Sequence, residues 1–269
     1  MKNQIEVLRR LYRNRWANKK NYDHNLLSEE NREHLKTLRK DGIVIVPGFL
    51  TSQQAETIRL SVQNKLNEIA DSEWEEIIEK VKLPENKFGV TTEDGTRCWS
   101  DARKSDQRCF HAELLSSDIA SFAHNNDFSS IASELLERKI GLLGCMANRT
   151  RYVEGNLGSG GGWHRDMSYR NGFKALVYLV DVNEKNGCFQ YIPKSSKAAH
   201  HLLKTPIPDK YQYTDDDVYK MTGGKPNSVF DVTGKAGTLV LFDTNGVHRG
   251  KPIELGERYA LTNYYKDNI

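Results

Sequence analysis

The stretch Gly160-Gly161-Gly162-Trp163-His164-Arg165-Asp166 decides how this chain is read. On an extended segment side chains alternate with period two, so His164 and Asp166 project to the same side. One imidazole nitrogen and one carboxylate oxygen then converge on a point. A second histidine brought in from elsewhere would complete two neutral nitrogen donors and one anionic oxygen. Such a set suits Fe(II) and leaves three coordination positions open. The chain has 8 histidines, and about a 0.4 chance of one accidental His-x-Asp follows from ordinary Asp frequencies. The pair alone therefore carries little.

Working outward, the second histidine is offered by Asn245-Gly246-Val247-His248-Arg249-Gly250, delivered by the strand-like run Gly237-Thr238-Leu239-Val240-Leu241-Phe242-Asp243. Arg258 follows on another strand-like run. Short strands are expected over Leu142 to Glu154, Lys174 to Val182, Cys188 to Ile192, Ser228 to Val232, Thr238 to Asp243 and Arg258 to Lys266. Strands this short, parted by Gly, Asn and Pro turns, indicate a double-sheet jelly roll rather than a parallel α/β sheet. The first half reads differently. Gly42 to Leu50 is a strand closed by Pro47-Gly48, and Thr51 or Ser52 caps a helix running to about Ile69. Further helices are expected from Trp74 to Val81 and from Phe122 to about Arg138, with residues 85 to 111 as loop and short strands. The fold class is thus α+β, mainly β: a double-stranded β-helix core with N-terminal helices packed on it. One domain covers 1–269, divided into a helical extension (1–40), a helix-rich part (41–140) and the jelly-roll core (141–269).

The order of these motifs resembles the phytanoyl-CoA dioxygenase-like family of Fe(II)/2-oxoglutarate oxygenases. That family's pattern is His-x-Asp, then Asn-Gly with a following Pro, then His, then Arg. It is matched by His164 and Asp166, by Asn186-Gly187-Cys188 leading to Pro193-Lys194-Ser195-Ser196-Lys197, and by His248 and Arg258. The resemblance implies His164, Asp166 and His248 as iron ligands, with 2-oxoglutarate and O2 as co-substrates. It implies oxidation of 2-oxoglutarate to succinate and CO2 with hydroxylation of a C–H bond. It also implies a lid or substrate wall from residues 85 to 111. Because the carboxylate of Asp166 is present, oxygen chemistry rather than halogenation is expected.

Arg258 is the expected anchor of the far carboxylate of 2-oxoglutarate, since a guanidinium grips a carboxylate with two parallel bonds. Relatives often carry Ser or Thr two residues after this arginine, but Ala260 stands here. The missing hydroxyl could come from Thr262, on the Arg258 face, or from the strand before the metal motif. On that strand Met146, Asn148, Thr150 and Tyr152 share one face, and Cys145, Ala147, Arg149 and Arg151 the other. The Asn148/Tyr152 face is expected inward. Trp163 is expected to wall the co-substrate pocket. Arg151 and Lys174 are the substrate-binding candidates, within a set of cations that also includes Arg165, Arg170, Lys194, Lys197, Arg249 and Lys251. Such a rim would receive a small anionic metabolite.

A chain of 269 residues, 38% hydrophobic and 28% charged, can bury a sizeable core. Its net charge of +3 is too slight to imply nucleic acid. No run approaches a membrane span, so neither nucleic acid nor membrane is an expected partner, and the state is monomer or homodimer. Cys98, Cys109, Cys145 and Cys188 form no C-x-x-C pair and read as free thiols of a cytoplasmic protein. A basic helix with Ile5, Leu8, Leu11 and Tyr12 on one face is expected near the N-terminus, packed on its own domain or on an oligomer partner. Two other readings stay open. One is a jelly-roll binding module with a vestigial metal site. The other makes the basic helix a dock for membrane or nucleic acid.

Overall fold

Ser28 opens the first helix of the described chain. Its hydroxyl accepts from the Asn31 amide at 3.1 Å, and α1 runs over Glu29–Asp41. Gly42 ends it in the left-handed region (φ 84), where its N–H closes on the Leu38 carbonyl. Any side chain at Gly42 would run into the Tyr191 hydroxyl. The computed structural model describes residues 27–166, 172–197, 212–225 and 227–267. The N-terminal amphipathic segment around Ile5 to Tyr12, and Arg170, lie outside them. Thr51 and Gln54 form a reciprocal capping box that starts α2, Ser52–Glu68, whose buried face is Ala55, Ile58, Val62 and Leu66. Helix α3 covers Asp71–Lys80.

The helix expected from Phe122 to Arg138 is two helices, α4 (Ser117–Ala123) and α5 (Asn126–Leu136). The break comes from Asn125, whose side chain accepts from the Asp127 amide at 2.9 Å and caps the second helix. Helix α6, Asp215–Thr222, was not expected from periodicity. Among the described residues no helix is long and apolar enough to cross a membrane.

Thirteen described strands follow in chain order: β1 Ile43–Val46, β2 Val90–Thr91, β3 Arg97–Ser100, β4 Asp106–Phe110, β5 Ile140–Arg151, β6 Trp163–His164 and β7 Gly172–Tyr178. Then come β8 Phe189–Tyr191, β9 Gln212–Tyr213, β10 Phe230–Val232, β11 Leu239–Asp243, β12 His248–Gly250 and β13 Glu257–Asp267. They form an eight-stranded sheet, β1-β11-β7-β13-β5-β4-β3-β2, and a five-stranded sheet, β10-β8-β12-β6-β9. The short strands expected within residues 85 to 111 are β2, β3 and β4, which extend the large sheet beyond β5.

Alternation sorts each strand into two environments. On β13, Tyr259, Leu261 and Tyr265 join a core shared with the helices, together with Ile58, Val62, Phe122 and Ile131. On the other face Ala260 joins Leu176, Tyr178, Phe189, Tyr191, Val240 and Phe242 between the two sheets. A third cluster, Trp163, Ile192, Tyr213, Val218, Met221 and Val247, lies around α6. The expected mainly-β, double-sheet class with N-terminal helices packed on it is what the chain forms, with α6 lying apart from those helices in the third cluster.

Candidate active site

His164 and His248 are Cα partners where β6 and β12 pair in the small sheet. Each ring is fixed in the same manner. His164 Nδ1 lies 2.8 Å from the Gly162 carbonyl, and His248 Nδ1 lies 2.8 Å from the Gly246 carbonyl. A carbonyl only accepts, so each Nδ1 carries a proton and Nε2 is the ring nitrogen left to ligate a metal. Both Nε2 atoms face Asp166, whose Oδ1 lies 3.4 Å from His164 Nε2 and 3.7 Å from His248 Nε2. One ligand atom from each of the three residues lies within 4.8 Å of the others. The glycines before His164 have a local reason. At Gly160 φ is +90, and an added Cβ would stand 2.5 Å from His164 Cε1.

The electrostatics suit a divalent cation. His248 is 3% exposed, and its Nε2 has no hydrogen-bond partner among the described residues. The rings of Phe242, Phe189 and Tyr191 surround it at 5.2, 5.6 and 6.4 Å. Burial, then the neighbouring His164, pushes its pKa down to about 3, so the imidazole is neutral at ordinary pH. Burial alone would raise the Asp166 carboxyl. The Lys174 ammonium, then His164 and His248, override that and hold it well below the carboxylate range. Two imidazoles, one carboxylate and the buried, unpartnered Nε2 of His248 fit a metal ion.

Arg258 opens β13 and is 3% exposed. Its Nη1 donates to the Gly187 carbonyl, its Nη2 to Thr150 Oγ1 at 3.3 Å, and its Nε has no partner among the described residues. Thr150 is the Cα partner of Arg258 across β5 and β13. Asn148 is buried on the same inner face, and its Nδ2 donates to Thr150 Oγ1 at 3.1 Å and Ser159 Oγ at 3.4 Å. The hydroxyl beside the guanidinium is thus that of Thr150, which sequence reasoning placed on the inward face without selecting it. Thr262 lies four residues from Arg258, about 13 Å along an extended strand, in the row of Met146 and Leu176.

Three other expected site residues stand elsewhere. Tyr152 is one residue beyond the end of β5 and 53% exposed, its N–H bound to the Gly256 carbonyl at 3.0 Å. The strand ends before alternation can carry it inward. Trp163 alternates with His164 and so faces the other side of the small sheet. Its Nε1 donates to Asp215 Oδ1 at 2.8 Å, and the Arg249 guanidinium lies 4.3 Å over its ring. Arg151 shares the outer face with Arg149, and its Nε donates to the Lys104 carbonyl at 2.9 Å. Lys174 does reach the site, but as the ion-pair partner of Asp166 Oδ2. Arg165, 1% exposed, is a buried tie. It donates to Tyr213 Oη at 3.0 Å, to the Ser195 carbonyl at 2.6 Å and to the Asn245 carbonyl.

Residues 38–254 match the family model described as phytanoyl-CoA dioxygenase (PhyH), a segment that includes His164, Asp166 and His248 and stops short of Arg258. Comparison with curated protein sequences gives no significant match. Solved structures agree on the fold. The epimerase SnoN, in complex with Fe3+, alpha ketoglutarate and nogalamycin RO, is 18% identical with a TM-score of 0.59, over 88% of this chain and 84% of that one. EctD from S. alaskensis with bound Fe is 14% identical, TM-score 0.57, over 90% and 79%. HygX from Streptomyces hygroscopicus, with nickel and 2-oxoglutarate bound, is 15% identical, TM-score 0.54, over 91% and 89%. The chain belongs to the phytanoyl-CoA dioxygenase family and is an iron- and 2-oxoglutarate-dependent oxygenase rather than a binding module.

Proposed function

We propose that this oxygenase hydroxylates an unactivated C–H bond of a small polar metabolite, at Fe(II) held by His164, Asp166 and His248. The observation that carries the reading is the buried, unpartnered Nε2 of His248 beside the other two ligand groups. The chemistry supplied by bound Fe(II), 2-oxoglutarate and O2 is oxidative decarboxylation to succinate and CO2, coupled to oxygen insertion into a C–H bond. The protein's part is to hold and to exclude. The two Gly carbonyls orient the imidazoles, and Phe189, Tyr191 and Phe242 keep water from His248. Arg258 offers a free Nε and a neighbouring Thr150 hydroxyl to the far carboxylate of 2-oxoglutarate. Asn148, bonded to that same hydroxyl, completes the row.

A specifically anionic substrate draws less support than a neutral, hydroxyl-bearing one. Of the two cations offered to an anion, Lys174 is paired with Asp166 and Arg151 faces outward. Arg108, Arg249 and Lys251 are paired with Asp106, Asp215 and Asp231. Structures of this fold that hold nogalamycin RO or hygromycin B support a small-molecule substrate. The four buried, free cysteines support a reducing, cytoplasmic setting. Succinate release by the Fe(II)-loaded protein in air, with polyols and glycosides offered as prime substrates, tests the reading. Release no greater than in the metal-free control would overturn it.

A further inference from the structure

We infer that Lys174 is a positioning residue for the metal-binding carboxylate, an inference that rests on the metal reading above. The two oxygens of Asp166 have different neighbours. Oδ1 faces the two Nε2 atoms at 3.4 and 3.7 Å, whereas Oδ2 is ion-paired with Lys174 Nζ. The two residues also differ in how firmly they are held. Lys174 stands within β7, paired on both sides by β11 and β13, and is 8% exposed. Its Nζ lies 4.4 Å from the Tyr264 ring centroid and 6.0 Å from that of Phe242, so two aromatic faces fix the ammonium. Asp166 follows a two-residue strand and is tied by its amide to the Thr244 carbonyl at 3.1 Å. The more rigid residue orients the less rigid one.

Two effects oppose each other. An ammonium near a dication repels it, while a partner on one carboxylate oxygen aims the other at the metal. Removing the orienting partner of a metal ligand typically costs about 10–100-fold in affinity, so orientation outweighs repulsion.

Mn(II) binding to the metal-free full chain, followed by the EPR signal of free Mn(II), tests this without turnover. Lys174→Met keeps the apolar stem and removes the charge, and should weaken Mn(II) binding by about 10–100-fold. Lys174→Arg should recover most of it, because a guanidinium can still engage Oδ2. Thermal melts of the metal-free variants check folding, and Lys174→Leu, which also offers no donor to Oδ2, replaces Lys174→Met should the latter not fold. A charge-removed variant binding Mn(II) as tightly as wild type, or more tightly, would overturn the role, as would an arginine variant that recovers nothing. Asp166→Ala separates the two levels. If it binds Mn(II) like wild type, the metal reading itself fails. If it loses Mn(II) while Lys174→Met does not, only the role of Lys174 falls.

Discussion

At the proposed metal end of the site, each imidazole is fixed by a carbonyl two residues before it, Gly162 for His164 and Gly246 for His248. At the arginine end, Arg258 is fixed by Thr150 and Gly187, which are 108 and 71 residues away in sequence. Both ends leave one buried donor or acceptor unpartnered, Nε2 of His248 and Nε of Arg258. The difference is in what builds them. One is a pair of short local motifs, and the other is a product of strand register.

The largest effect should come from breaking the metal end. His248→Ala and Asp166→Ala should each abolish Fe(II)-dependent succinate formation, since each removes a proposed ligand that no other described His, Cys, Asp or Glu replaces. Retained turnover in His248→Ala would remove the triad from the account and leave the local motifs as coincidence.

That contrast also explains what could be read beforehand. Alternation within Trp163-His164-Arg165-Asp166 is enough to put His164 and Asp166 together, because the argument needs only adjacent residues. The same alternation places Trp163 on the opposite face, where it meets Asp215. The expectation that it walls the pocket set sequence adjacency above alternation. Tyr152 failed for a related reason, since the parity of β5 is useful only to its last residue, Arg151. Thr150 and Lys174 needed more than parity. Their roles depend on which residue of β13 stands beside Thr150 and on how the Asp166 carboxylate meets β7. Register of this kind is set by the whole sheet, and no single segment contains it.

At the arginine end, Arg258→Lys keeps the charge and loses the fork. Loss of a charge-assisted bond is worth about 1.5–3 kcal/mol, roughly ten- to a hundredfold in the 2-oxoglutarate KM. Mn(II) affinity should be untouched, and a fall in it would mean that the two ends are one site.

A third effect is on stability. Burial and then His164 hold the His248 pKa at about 3, whereas in the unfolded chain it is near 6.5. The unfolded state therefore gains a proton between those values that the folded state refuses, and stability falls as pH falls. For the metal-free protein the loss assigned to His248 is about 2 kcal/mol between pH 7 and pH 5. Urea melts should show it, and His248→Phe should flatten that part of the slope. An unchanged slope would mean that His248 is hydrated or paired.

The smallest test sharpens the register. Thr150→Val removes one neutral hydrogen bond beside Arg258, worth about 1 kcal/mol, and should weaken 2-oxoglutarate binding about fivefold. Thr262→Val should leave that affinity where it is. The reverse result would move the co-substrate carboxylate two positions along the inner face of β13.

The most direct test of the central claim is an anaerobic titration of the Fe(II)-loaded protein with 2-oxoglutarate, followed by visible absorption. A weak charge-transfer band should grow to saturation at one equivalent per chain in the wild type, require more 2-oxoglutarate in Arg258→Lys, and be absent in His248→Ala. A folded wild type that develops no band, or a band undiminished in His248→Ala, would contradict the account.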